Sequence, residues 1–368
     1  MRLHLTQLEL YVMNRTLMSV LGAVAILGSV VLLIDFVEIS RDVGSNADVG
    51  AGQIFGLTLL KSPSVLLVLL PFVFLFGTLA AFVSLNRRSE LIAMRAAGVS
   101  AWRFILPAAG AAFVIGVVTV TALNPGAALL NNRFEQAKAA LTDEVVAAQP
   151  KEVWLRQGGR GRTQIVIHAR SRGDREGLTL KGVSLFIYEV GPDGVLHFSR
   201  RIDAAQAQLI SGEWRLTGVR EAGAGETAQV SESMSIPSTI TDAAVLNGNA
   251  SPQTIPFWAL PSVIKRTEQA GLGATAYRLR LQQLLAMPLL FCGMSVLAAA
   301  FCLRLVRLGG LAALVGAGVA VGFAFFFFNE LCGALGRAGI VPAFAAAWAP
   351  PLLVLLSGLT LLCYTEDG

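Results

Sequence analysis

Residues 86–103 read NRRSELIAMRAAGVSAWR, and their side chains are spaced for docking rather than for bond-making. Ser89 is a residue type that caps helix N-termini, and Glu90 falls in the first turn, where the helix dipole favours a carboxylate. Leu91, Met94 and Arg95 follow at spacings of three and four, giving a short helix an apolar face with a charged flank. Gly98 suits the left-handed position beyond the helix end, and Ser100 is placed to cap the next helix. An ion pair and an apolar contact with another protein are the chemistry on offer. Reaction chemistry is missing. The absence of a Gly-Lys dipeptide excludes a Walker A loop, and there is no HExxH, Cys/His cluster or GxSxG elbow. His168 and His197 lie on strand-like runs and read as ordinary sheet residues. No catalytic residue, metal site or cofactor is expected.

The elements that must position this segment are strongly apolar. With 54% hydrophobic and 14% charged residues and a mean hydropathy of +0.64, the chain reads as an integral membrane protein. Six uncharged stretches are long enough to span a bilayer: roughly 17–34, 64–85, 104–123, 281–303, 308–328 and 343–363. The first is read as an uncleaved span rather than a signal peptide. Pro107, Pro288 and Pro350 lie within or beside spans, and GGLAALVGAGVAVG (309–322) offers a small-residue packing face. No Asp, Glu or Lys sits mid-span, which argues against an ion-coupled pump or an intramembrane protease. The net charge of +5 comes mainly from 24 Arg against 5 Lys and does not imply nucleic-acid binding, since membrane loops also need cations.

Orientation follows from the short loops. Arg2, Arg15, Arg87, Arg88, Arg95, Arg103, Arg304 and Arg307 fall on one side, and Arg41, Lys61 and Arg337 on the other. Both termini are therefore expected in the cytoplasm, with the long segment 124–280 outside, in the periplasm of a Gram-negative cell. In that segment KEVWLRQ, RTQIVIHA, GVSLFIYEV, VLHFSRR, EWRLTGV and AQVSESMSI read as strands, and QGGRG, RGDREG, GPDG and ISGE as turns. They predict an all-β sandwich or jelly-roll with helical flanks and a break at Gly271–Gly273. None of the four cysteines lies within it, so no disulfide framework is expected there. The expected fold is an α-helical integral membrane protein of six transmembrane helices, with a jelly-roll-like periplasmic domain inserted between spans 3 and 4. Its parts are 1–123, with a coupling helix at 89–98, then 124–280 and 281–368.

A capped cytoplasmic helix of two turns between spans is the shape that ABC-transporter membrane subunits present to their ATPase. In that reading Glu90 pairs with a basic residue of a separate ATPase, while Leu91 and Met94 fill its groove. The bland alternative is an interfacial loop with a solvated charge run. RRSELIAMRAAGVS resembles the signature of the lipopolysaccharide-export permeases, the LptF/LptG family, and the layout of three spans, β domain and three spans is similar to theirs. FVEISRDVG, YRLRLQQLLAMPL and FFFFNELCGALGRAGIVPAFAAAWAP resemble the LptG branch more than the LptF branch. The resemblance implies a non-catalytic permease subunit in the inner membrane that extracts lipopolysaccharide. It also implies three partners: an LptB-like ATPase, an LptF-like second permease and a single-span LptC-like bridge protein. Glu90 matches the family's coupling-helix glutamate. A membrane subunit of another ABC-type complex, for lipoprotein release or mechanotransmission, and a non-transporting scaffold for a β domain are the rival readings.

Family members place cations at the periplasmic end of span 1 to meet substrate phosphates. Here Asp35, Glu38, Arg41 and Asp42 stand in that region, so Arg41 alone is basic, and Asp35 and Glu38 read as a solvated span end. Arg133, and the pair Arg278 and Arg280, are placed to attract anionic head groups or simply to snorkel. In GFAFFFFNE, Phe325, Phe326 and Phe328 are candidates for an acyl-chain cavity, with lipid-facing bulk as the plain alternative.

Overall fold

The computed structural model describes residues 6–43, 49–146, 153–158, 163–172, 178–191, 196–210, 212–223, 228–238, 252–269, 273–305 and 311–366. The four turns QGGRG, RGDREG, GPDG and ISGE, the start of KEVWLRQ, the break at Gly271–Gly273, the start of the 309–322 stretch, and Arg2 and Arg307 lie wholly or partly outside these residues. The chain forms two compact units: residues 1–141, 252–261 and 275–368 make one, and residues 142–251 and 262–274 the other.

The first unit is helical. The helices are α1 (Gln7–Val43), α2 (Ala51–Arg87), the short α3 (Glu90–Ala96), α4 (Ala101–Val118) and, after the π-helical turn Thr119–Leu123, α5 (Asn124–Val146). Beyond α6 (Leu260–Gln269), which from Ser262 on belongs to the second unit, come α7 (Thr275–Leu305), α8 (Leu311–Arg337) and α9 (Ala343–Glu366). Among the described residues, six helices are long and apolar enough to cross a membrane, as expected. A helix bonds its backbone within itself, as hydrocarbon requires, which is why these long apolar sequences fold so. The prolines are accommodated inside helices, at Pro63 and Pro71 of α2, Pro107 of α4, Pro288 of α7, and Pro350 and Pro351 of α9.

Burial ranks the spans. The most apolar window of α7 is 72% buried, against 11% for α1 and 22% for α8. The core around α7 joins Phe74, Phe82, Phe104, Phe291 and Met294, with Phe74 and Phe291 stacked at 4.6 Å. Close approach depends on glycine at the α4–α7 crossing: a Cβ on Gly116 would stand 2.5 Å from the Pro288 Cα. In the 309–322 stretch, read as the packing face, the approach at Gly318 is to side chains and not to backbone: a Cβ there would stand 3.0 Å from the Leu79 Cδ2 and 3.9 Å from the Phe76 ring.

Span 3 does not stop at residue 123 but continues through the π turn into α5. A π turn frees backbone groups that need other partners. The Trp258 indole N–H donates to the Thr121 carbonyl at 3.0 Å, and the Asn124 Oδ1 accepts the Phe257 N–H at 3.0 Å.

The second unit carries the strands. They are β1 (Val153–Gly158), β2 (Thr163–Arg172), β3 (Leu178–Val190), β4 (Leu196–Ile210), β5 (Glu213–Gly223) and β6 (Gln229–Pro237). All six strand-like runs of the sequence fall on them. Each pairs antiparallel with its neighbours in the order β1-β2-β3-β4-β5-β6. The expected all-β insertion is therefore present, and among the described residues its strands form one sheet. A single cavity of about 320 Å³ is lined by Ile165 of β2, Ile187 of β3, Ile202 of β4 and Ile236 of β6. In a flat sheet β2 and β6 would stand about 19 Å apart, at ~4.8 Å per strand. The sheet is therefore curled around a partly open cavity, jelly-roll-like, with one sheet among the described residues.

The crease is written into the sequence. In β3 the buried positions run Leu180, then Val183, Leu185 and Ile187, a one-residue slip in the alternation. β4 slips between Ala204 and Ala207, and β5 between Leu216 and Val219. Gly182, Ala205 and Gly218 stand at these slips, each at the position skipped by the strand register. Gly182 and Gly218 have φ +61° and +64°, which side chains with a Cβ resist. Gly218→Val should cost about 1–3 kcal/mol. Limited proteolysis of the detergent-solubilised chain should then open the β segment first, with the spans still protected; an unchanged cleavage profile would remove the crease assignment.

Candidate functional site

The α2–α3–α4 end of the helical unit carries the docking segment. The α3 helix has seven residues, and its C-terminal end is closed by two hydrogen bonds. The Val99 N–H donates to the Met94 carbonyl at 3.1 Å and the Gly98 N–H to the Arg95 carbonyl at 3.0 Å, with Gly98 at φ +79°. This is a Schellman end, as the glycine implied.

The N-terminal end differs from expectation. Ser89 occupies the N-cap position and its carbonyl accepts the Ala93 N–H at 3.0 Å, but φ is +62° and its hydroxyl makes no capping bond. A side-chain cap needs extended backbone at that residue, and Ser89 is left-handed. The cap is positional only.

Leu91 and Met94 also face the other way. They are 3% and 8% exposed and belong to the chain's own helical core, so they anchor α3 instead of offering themselves to a groove. The apolar side chain turned outward is Ile92, 61% exposed. Sequence spacing located the apolar stripe but not which side of the helix met the spans. Glu90 is half-buried, and its Oε2 accepts a hydrogen bond from the Tyr11 hydroxyl of α1 at 2.8 Å. Arg95 is half-buried and pairs with Glu366, the last residue of α9, at 3.0 Å. Further ties to α1 run from Arg103 to Glu9 at 3.0 Å and from Arg15 to Ser84 at 3.3 Å. None of these partners has a sequence signal, because each pairing joins helices far apart in the chain.

The acidic residues of span 1 divide: Glu38 and Asp42 are exposed, as at a solvated end, but Asp35 is not. Asp35 is buried, 3.1 Å from the Lys61 ammonium, and accepts the Ser62 hydroxyl at 2.9 Å. Glu38 meets the same Lys61 at 2.9 Å, and Asp42 pairs with Lys138 at 2.8 Å. A carboxylate this deep needs a paired cation, and α2 provides it. Ile39, Ile54, Leu57 and Phe134 pack together here, which brings Arg41 and Arg133, both exposed, to the same end of the helical unit. The phenylalanines divide. Phe325 is buried against Phe72 at 6.1 Å, Phe326 is exposed on the flank of the same ring at 6.5 Å, and Phe328 is half-buried. Phe325 is thus a core residue, filling space between α2 and α8. Arg280 is half-buried, with its Nε enclosed and without a partner among the described residues.

Two outcomes test this geometry. Ser89→Gly should leave thermal stability unchanged or raise it by up to about 1 kcal/mol, since it relieves a left-handed serine, whereas Gly98→Val should lower it by about 1–2 kcal/mol. A loss on Ser89→Gly would restore the hydroxyl cap. Lys61→Met should cost about 3–5 kcal/mol by leaving Asp35 buried and uncompensated, and adding Asp35→Asn should recover part of that in a double-mutant cycle of melting curves. Additive losses would mean that the two groups do not interact.

Comparison with known proteins agrees with this architecture over nearly its whole length. The family described as lipopolysaccharide export system permease LptF/LptG matches residues 10–364. The chain is 24% identical over 354 residues to the lipopolysaccharide export system permease protein LptG of Escherichia coli strain K12, covering 94% of each chain. The LptG protein of Escherichia coli O6:H1 gives the same identity and coverage. With six apolar helices, a curled sheet between the third and fourth, and a family match spanning both, the chain belongs to the LptF/LptG family of lipopolysaccharide export permeases, multi-pass proteins of the inner membrane.

Proposed function

We propose that this chain is the LptG-like half of a two-permease assembly that extracts lipopolysaccharide from the outer leaflet of the inner membrane and passes it to a periplasmic bridge. On this reading the chain hydrolyses nothing itself. An LptB-like ATPase drives it, an LptF-like permease pairs with it, and an LptC-like single-span protein receives the lipid. Both termini and α3 lie in the cytoplasm and the sheet lies in the periplasm, a placement supported by the eight arginines on one side against three cations on the other. The coupling site comprises Ser89, Glu90, Leu91, Met94, Arg95 and Gly98, with Ile92 added as its outward apolar contact. Arg41 and Arg133 remain the candidate contacts for anionic head groups, and Phe326 and Phe328 for acyl chains.

The observation that carries this reading is the build of α3. Its inner face is embedded in the core of the spans through Leu91 and Met94, while Ile92 stands exposed and Glu90 half-exposed. A helix anchored on one side and free on the other passes a push to the bundle as a rigid body. A loop with a solvated charge run has no need of the anchoring face. Glu90→Ala should leave membrane insertion intact and lower co-purification of the ATPase by about tenfold or more, as expected when a docking charge loses its partner. Undiminished ATPase recovery together with normal lipopolysaccharide release would refute the assignment.

A further inference from the structure

The geometry points to Glu366 as a positioning residue for the coupling helix: its one carboxylate binds Arg95 of α3 and the first backbone N–H of α4, fastening both to the end of span 6. The inference rests on the coupling role proposed above and names the part of the chain that carries the motion onward.

The two oxygens of Glu366 do different work. Its Oε2 accepts the Arg95 guanidinium at 3.0 Å, and its Oε1 accepts the Ala101 N–H at 3.0 Å. The α4 helix begins at Ala101, so the carboxylate satisfies one of the orphan donors at that N-terminus and complements its dipole. Ser100 holds the N-cap position there without a side-chain capping bond, and Glu366 supplies the acceptor from 265 residues away. In return the Arg95 Nη2 lies 3.5 Å from the Thr365 carbonyl, a cation at the negative end of α9. Charge and dipole therefore match at both helix ends through one side chain.

The burial of this contact sets it apart from the other ties of the segment. The Arg95 and Glu366 side chains are 26% and 18% exposed, whereas in the Arg103–Glu9 pair to α1 the glutamate is 13% exposed but the arginine 57%, so the difference lies in the cation. Water competes more readily for a guanidinium that is mostly exposed, as in Arg103, than for one largely covered, as in Arg95. When α3 is displaced, Glu366 carries spans 3 and 6 with it, while the α1 contacts can exchange with solvent.

The test uses the complex purified from native membranes with its co-purifying ATPase, carrying Glu366→Ala or Glu366→Gln. Hydrogen exchange should quicken about tenfold or more across residues 92–103 in the Ala variant, with the spans unchanged. The Gln variant keeps an acceptor for the Ala101 N–H but loses the charge for Arg95, so its exchange should quicken less at Ala101 than at the end of α3. ATP hydrolysis should persist in both, with lipopolysaccharide released per ATP falling about fivefold in the Ala variant. Exchange unchanged at residues 92–103, or accelerated everywhere alike, would overturn the inference. So would faster local exchange with an unaltered ratio of release to hydrolysis, since the contact would then be structural only. A wild-type complex that neither hydrolyses ATP nor releases lipopolysaccharide would instead defeat the proposed function, and the exchange data would still judge the clamp.

Discussion

Hydrocarbon offers a helix nothing to bond with, so a membrane-spanning segment cannot be gripped along its length by polar contacts. Specific directional ties are concentrated where the helices end. In this chain the concentration is plain. Tyr11, Arg15, Glu90, Arg95, Arg103 and Glu366 meet at one end of the bundle, and Asp35, Glu38, Asp42, Lys61 and Lys138 at the other. Between them the packing is apolar contact with few polar exceptions, such as the Thr78–Ser295 hydrogen bond. A mechanical subunit built this way takes its input at its ends and passes it on through the stiffness of helices.

Stiffness requires that the helices not slide. The glycine at the α4–α7 crossing brings backbone against backbone, with Pro288 seated where a side chain on Gly116 would stand. The same holds where Gly293 meets Leu355 and Gly358 meets Leu297, which locks α7 to α9 at two levels. Because α7 also packs the aromatic core, spans 3, 4 and 6 are packed together as a block. The sheet solves a different problem with the same residue type, by letting its alternation slip along one line so that a single layer curls around a partly open cavity.

Local features were legible in the sequence. The spans follow from uninterrupted apolar length, the six strands from β-branched runs, and the left-handed end of α3 from Gly98 in its place. Features that depend on a distant neighbour were not. Spacing put Leu91 and Met94 on one stripe but could not tell a stripe that grips a partner from one that grips its own bundle. Ser89 matched a capping residue type, yet its conformation is set by the turn from α2 into α3. Asp35 read as solvated because its cation sits 26 positions along on another helix, and Glu366 drew no reading because its contacts lie some 270 positions upstream. A glutamate at the end of a last span carries no pattern that marks it.

The sparse burial of α1 has a thermodynamic consequence. With so little of its apolar window covered by the chain itself, and with Met18, Leu21, Ile26, Leu33 and Ile34 all facing outward, the first span draws its solvation from whatever surrounds it. Lipid, detergent and a companion subunit all compete for that stripe, and whichever binds the folded form best shifts its melting temperature by mass action. The durability of the fold is accordingly a property of the protein with its surroundings, and it rises with the concentration of the right neighbour.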